Sequence, residues 1–72
     1  TTICHEIFRE IRKTARTTKD KKIVVTANQN VADIIFDEER QIMEELEKEY
    51  QKRIVIKRDA NLHIEEYDIL TS

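Results

Sequence analysis

Between residues 2 and 17 the apolar positions recur once per helical turn. Cys4, Phe8, Ile11 and Ala15 stack along one side, with Ile3 and Ile7 beside them. His5, Glu6, Arg9, Glu10, Arg12, Lys13 and Arg16 fill the other side. That spacing predicts an amphipathic helix. Its cations gather toward the C-terminal half, where the helix dipole favours positive charge. The polar stretch TTKDKK then reads as a loop, and KIVVTA follows as a short, continuous apolar run rich in β-branched residues. Such a run predicts a strand buried on both faces.

Asn28 stands where a side-chain oxygen can accept the unpaired amides of a new helix. Val31, Ile34 and Ile35 form the apolar stripe of that helix, and Ile42, Met43, Leu46 and Tyr50 form a second stripe. On a continuous helix the two stripes would be displaced by roughly 80°. The residues between them, Asp37-Glu38-Glu39-Arg40, are all charged. Two helices are therefore expected, at about 29–36 and 39–52, meeting at an acidic corner. One bent helix is the alternative.

RIVIKR predicts a strand with Ile54 and Ile56 on one face, followed by a turn at Asp59-Ala60-Asn61. Residues 62–70 are expected to return as a strand. Leu62 and Ile64 share one parity and Tyr67 and Ile69 the other, which a bulge near Glu65-Glu66 would reconcile. The order is α-β-α-α-β-β, an α+β chain with a small three-stranded sheet and its helices on one face.

Seventy-two residues hold one domain at most, with a core that is marginal without a partner. Apolar and charged residues each make up 39% of the chain, too patterned for disorder. Glycine and proline are both absent, against about five and four expected from average usage. Their absence excludes every glycine-rich phosphate loop. One cysteine rules out an internal disulfide framework and fits a reducing compartment. No apolar run approaches the roughly 20 residues of a membrane span, and no signal peptide is present, so no membrane partner is expected. The chain starts at Thr1, inside a helical pattern and without a start methionine, and reads as a piece of a longer protein.

The net charge of −2 is unevenly laid out. Residues 9–22 hold seven basic and two acidic side chains, whereas residues 33–49 hold eight acidic and two basic. Lys52, Arg53, Lys57 and Arg58 make a second basic run. Segregated charge of this kind steers a partner or docks a neighbouring domain.

Catalytic chemistry finds little support. His5-Glu6-Ile7-Phe8-Arg9 places a cation where a zinc protease needs its second histidine, and Cys4 and His5 point about 100° apart on a helix. Cys4 lies on the apolar stripe, whereas a reactive thiol needs an electropositive, partly exposed setting. Glu65 and Glu66 are neighbours in an expected strand and face opposite ways, so they cannot pair as acid and base. The chain alone is expected not to be an enzyme, and no catalytic, cofactor-binding or metal residue is assigned within it.

Nucleic-acid contact remains as an alternative. Lys22 to Arg58, strand-helix-helix-strand, follows the order of a KH core, a module that clamps RNA backbone at a GxxG turn. Here that turn is Asp-Glu-Glu-Arg, which would repel phosphate, so the expected core is KH-like without its clamp. Arg9, Arg12, Lys13, Arg16, Lys19, Lys21 and Lys22, on the first helix and its following loop, are the candidate surface for docking or for weak RNA contact.

Taken together, ICHEIFREIRK, KIVVTANQNVADIIFDEE and RIVIKRDANLHIEEYDI resemble the last segment of the bacterial ribonuclease E/G family. The first is similar to that family's TVCxEIxRxI helix. The second carries Asn28 and then Val31-x-Asp33-Ile34-Ile35. The third ends on hydrophobic-H-x-E-x-Y-D-hydrophobic, from Leu62 to Ile69. The resemblance covers essentially the whole chain. It implies a parent that is a metal-dependent endoribonuclease, processing and degrading RNA in the bacterial cytoplasm. Its magnesium-binding carboxylates, and the CPxC-type cysteines of its zinc link, would lie upstream, so Cys4 inherits no ligand role. Residues 1–72 would then be a small accessory C-terminal domain. Its partners would be the rest of the ribonuclease and its homo-oligomer, with assembly or interdomain docking as its task.

Overall fold

A computed structural model describes residues 2–72. Its elements follow the expected order: α1 (Thr2–Thr17), β1 (Lys22–Asn28), α2 (Gln29–Asp37), α3 (Arg40–Tyr50), β2 (Arg53–Asp59) and β3 (Tyr67–Thr71). The sheet has strand order β2-β1-β3. β1 pairs with β2 in parallel and with β3 antiparallel. A parallel pair needs a crossover connection, and α2 and α3 supply it.

The helices cover one side of this sheet. Cys4, Ile7, Phe8 and Ile11 of α1 join Val31 and Ile35 of α2 and Met43 and Leu46 of α3 in a single core. From below, Ile23, Val25 and Ala27 of β1 close it, each fully buried. Ile54, Ile56, Tyr67 and Ile69 pack at its margins from the two edge strands. No polar or charged residue is buried among the described residues.

Local chemistry sets the element ends. Asn28 caps α2, its side-chain oxygen accepting from the Asn30 amide at 2.8 Å. The same side chain donates from Nδ2 to the Leu62 carbonyl at 2.7 Å, tying the β2–β3 connection to the body of the domain. At the acidic corner the amides of Glu38 and Glu39 both turn back to the Ile34 carbonyl, at 2.8 and 3.3 Å, and the helix stops. Two helices form here, not one bent one. α3 ends on Gln51 in the left-handed region, at φ 52 and ψ 44. Helices commonly place glycine at this position, and this chain has none.

Two expectations need correction. β1 is buried on one face only: Ile23, Val25 and Ala27 lie under the helices, whereas Val24 and Thr26 are half-exposed on the far side. Residues 62–70 do not form one strand. β3 begins at Tyr67, and residues 61–66 form a turn-rich loop in place of a bulge. The Glu66 amide donates to the His63 carbonyl at 3.0 Å, and the His63 amide donates to the Glu66 carboxylate at 2.9 Å. This closure turns the chain between the two parities and leaves Ile64 exposed.

Candidate functional site

The strand pairing gathers cations that lie far apart in sequence. Lys22 is the register partner of Arg53. The Arg53 amide donates to the Lys21 carbonyl at 2.9 Å, and Lys52 Nζ donates to the Asp20 carbonyl at 2.6 Å. Lys19, Lys21 and Lys22 therefore share one end of the sheet with Lys52 and Arg53. The sequence shows Lys52 and Arg53 as a separate basic run but not that the two runs meet, because the contact depends on the crossover between β1 and β2. Arg12, Lys13 and Arg16 are exposed on the last turns of α1, leading into this end. Arg9 sits apart. It lies close enough to Tyr67 to act on it electrostatically, together with Glu6 and Glu10. Burial, and then those two carboxylates, raise the Tyr67 phenol above its ordinary value of 10.0, and Tyr67 Oη donates to Glu6 at 3.4 Å. The seven expected surface cations thus split into a basic end and one residue in mixed company.

The uncovered side of the sheet is a second surface, absent from the expectations above. Side chains alternate along each strand, so residues paired in register with the half-exposed positions of β1 share their face. Arg53 and Lys22 form one row, Val55, Val24 and Leu70 the next, and Lys57, Thr26 and Asp68 a third. Leu70 is 65% exposed, the most exposed large apolar side chain described. No aromatic residue stands in these rows. A shallow groove of about 390 Å³ lies elsewhere, at the outer edge of β2, lined by Ile35, Phe36, Met43, Ile54 and Ile56 with Arg40, Glu44 and Glu47 at the rim. There Arg58 lies 4.8 Å from the centre of the Phe36 ring and pairs with Asp33 at 2.7 Å. The Glu47 carboxylate accepts from the Ile54 amide at 3.0 Å, blunting the open strand edge.

Among the described residues, no group of three or more His, Cys, Asp or Glu side chains could hold a metal ion. Cys4 is buried and His5 exposed, so they do not converge. The donors present do not fit the magnesium or zinc of the implied parent. No described helix is long and apolar enough to cross a membrane.

The architecture is that of a small α+β domain with a mixed sheet, presenting one basic end and one bare sheet face. The family model described as RNase E/G, thioredoxin-like domain, matches residues 1–72, and the chain belongs to the ribonuclease E/G family. No curated protein matches the chain. The thioredoxin-like description belongs to the matched family model. It does not carry thioredoxin chemistry into this stretch, because dithiol exchange needs two cysteines and the sequence has one.

Proposed function

We propose that residues 1–72 are a non-catalytic, C-terminal docking domain of a bacterial, cytoplasmic endoribonuclease, acting in assembly of the homo-oligomer or in contact between its domains. The chemistry, with its magnesium and zinc, would belong to segments upstream. Membership of a ribonuclease family supports a role connected with RNA processing. The observation that carries the docking role is the uncovered sheet face. A parallel β1–β2 pair is ordinarily covered on both sides, and here Val24, Val55 and Leu70 line up across three strands with none of the described helices over them. Lacking aromatic side chains, this face offers no platform on which bases could stack. It suits a protein surface better than a nucleic acid.

Hydroxyl-radical footprinting of the intact ribonuclease tests this. Leu70 should oxidise several-fold more slowly than Ile64, although the two are 65% and 53% exposed in the chain alone. Equal oxidation of the two would rule out docking on this face.

The convergence of Lys19, Lys21 and Lys22 with Lys52 and Arg53 supports RNA contact as a second reading. If that end touches single-stranded RNA, each neutralised phosphate releases counterions. Reversing Lys21, Lys22 and Arg53 in the intact enzyme should then lower the log–log salt slope of RNA binding by about 0.7 per lost contact. An unchanged slope would leave the cluster to protein contacts.

A further inference from the structure

We infer that the outer edge of β2, with the groove beside it, takes an extended basic and apolar segment of another protein, added to the sheet as a fourth strand. This site is separate from the bare sheet face and does not depend on what covers that face.

The backbone makes the first argument. The strand order leaves β2 at an edge. Arg53 turns its amide inward to the Lys21 carbonyl, and Ile54 turns its amide outward to the Glu47 carboxylate. Backbone polar groups alternate in direction along a strand, so Ile56 and Arg58 also turn theirs outward. Among the described residues, nothing meets those two amides. Glu47 thus closes only one end of the edge. The amides of Ile56 and Arg58 and the carbonyls of Ile54, Ile56 and Arg58 stay open, a template for an incoming strand. An antiparallel segment suits them, because the residue opposite Ile56 would exchange both of its backbone bonds there.

The groove decides which side chains the segment carries. A residue opposite Ile56 points its side chain to the same face as Ile56. That places it over the groove of about 390 Å³ between Phe36, Met43, Ile54 and Ile56. Phe36 is 41% exposed and offers its ring to a large apolar side chain. The next residue on this face, two positions later in an antiparallel segment, lies opposite Ile54 and beside Glu47. Both cations of the groove already face carboxylates, Arg40 on Glu44 at 3.4 Å and Arg58 on Asp33 at 2.7 Å. Glu47 remains, and Asp37, Glu38 and Glu39 lie between Phe36 and Arg40. The surplus formal charge around the groove is therefore negative. It selects a lysine or arginine two residues after the apolar anchor. Basic arms are characteristic of proteins that bind nucleic acid, and this chain belongs to a ribonuclease family.

The test uses the intact ribonuclease and a fluorescein-labelled Ser-Thr-Phe-Thr-Lys-Lys peptide, with binding read by anisotropy. Binding should saturate below about 1 mM. N-methylation of the peptide's Phe amide removes its bond to the Ile56 carbonyl and should weaken binding about tenfold. A contact made by charge or apolar area alone would not show that loss. Replacing the peptide's Phe by Ser should weaken binding by about tenfold or more. On the enzyme, Phe36→Ala and Glu47→Gln should each weaken it roughly threefold to tenfold. Gln still accepts from the Ile54 amide, so the Glu47→Gln loss reports charge. The changes on the peptide leave the enzyme's fold untouched, so the result does not depend on how the variants fold. Absence of saturable binding would overturn an external partner, including the case in which a segment of the ribonuclease itself fills the edge. Binding indifferent to N-methylation, or dependent on the lysines but not on the Phe, would overturn strand addition. Leu70 oxidation is read separately, so docking on the sheet face stands or falls on its own.

Discussion

Asn28 performs two tasks with one amide, and substitutions there separate them. Its oxygen caps α2 at the Asn30 amide, while its nitrogen holds the Leu62 carbonyl, 34 residues away in sequence. Replacing a capping side chain by alanine costs about 1 kcal/mol. A partly buried hydrogen bond contributes about 1 kcal/mol net. Asn28→Ala should therefore lose about 2 kcal/mol, and Asn28→Ser, which keeps a capping oxygen but cannot donate to Leu62, about 1 kcal/mol. Asn28→Asp preserves the cap but turns a carboxylate oxygen toward a carbonyl, so it should be less stable than Asn28→Ser despite the favourable helix dipole. Urea titration resolves these steps, since a slope near 1 kcal/mol per molar converts them into midpoint shifts of about 2 and 1 M. Hydrogen exchange localises the effect. The loop's backbone hydrogen bonds join residues close in sequence, such as Leu62 to Asp59 and Glu66 to His63. In Asn28→Ser, amides 60–66 should exchange about fivefold faster while those of α2 hold. Unchanged exchange at 60–66 would refute the tie between Asn28 and the loop.

Phe8, 3% exposed in the core, should cost about 3–5 kcal/mol as Phe8→Ala, a large share of the roughly 4–11 kcal/mol expected for a domain this size. Arg12→Ala on the exposed side of α1 should cost under about 0.5 kcal/mol, and equal melting shifts would contradict the helix phase. Gln51→Gly should stabilise the domain by about 0.5–1 kcal/mol, because a Cβ is disfavoured at φ 52; a loss of stability in thermal melts would show that the Gln51 side chain contributes more than its backbone costs. Tyr67 should titrate above its ordinary 10.0, chiefly through burial and then Glu6, and Glu6→Gln should bring it back toward that value in absorbance titrations. Since folding raises this pKa, the phenol's contribution to stability is complete below about pH 10 and is lost as pH rises through the folded value. A Tyr67 titration indifferent to Glu6→Gln would contradict the carboxylate's part in the shift.

The helices were legible because their signals are local. The stripe through Cys4, Phe8, Ile11 and Ala15 maps directly onto the buried side of α1, and the phase change between Ile35 and Ile42 marks a real break. The start of β3 was not legible. Leu62 and Ile64 alternate as a strand would, and nothing in alternation reports that the Glu66 side chain closes a turn on the His63 amide. Side-chain capture of a backbone donor competes with strand pairing, and a hydrophobicity pattern does not register it. The joining of Lys52 and Arg53 to Lys19–Lys22 was hidden for a different reason. Parallel register across a crossover sets it, and two basic runs some thirty residues apart say nothing about whether they meet.

The apolar run KIVVTA predicts burial on both faces, and the chain alone covers one. Strand propensity does not explain the difference, because threonine would satisfy a pleated, half-exposed position as well as valine does. In the third row the face does use Thr26, between Lys57 and Asp68. One row away it uses Val55, Val24 and Leu70, and there the polar choice is absent from all three strands at once. Scattered exposed apolar residues are ordinary on a protein surface, but three in register across a whole sheet concentrate apolar area at its centre and leave charge at its margins. That is the layout of an interface core with a polar rim. On the docking reading, the apolar pattern of β1 records burial in the assembled ribonuclease. The apparent error in reading the strand and the proposed role of the domain then have the same physical cause.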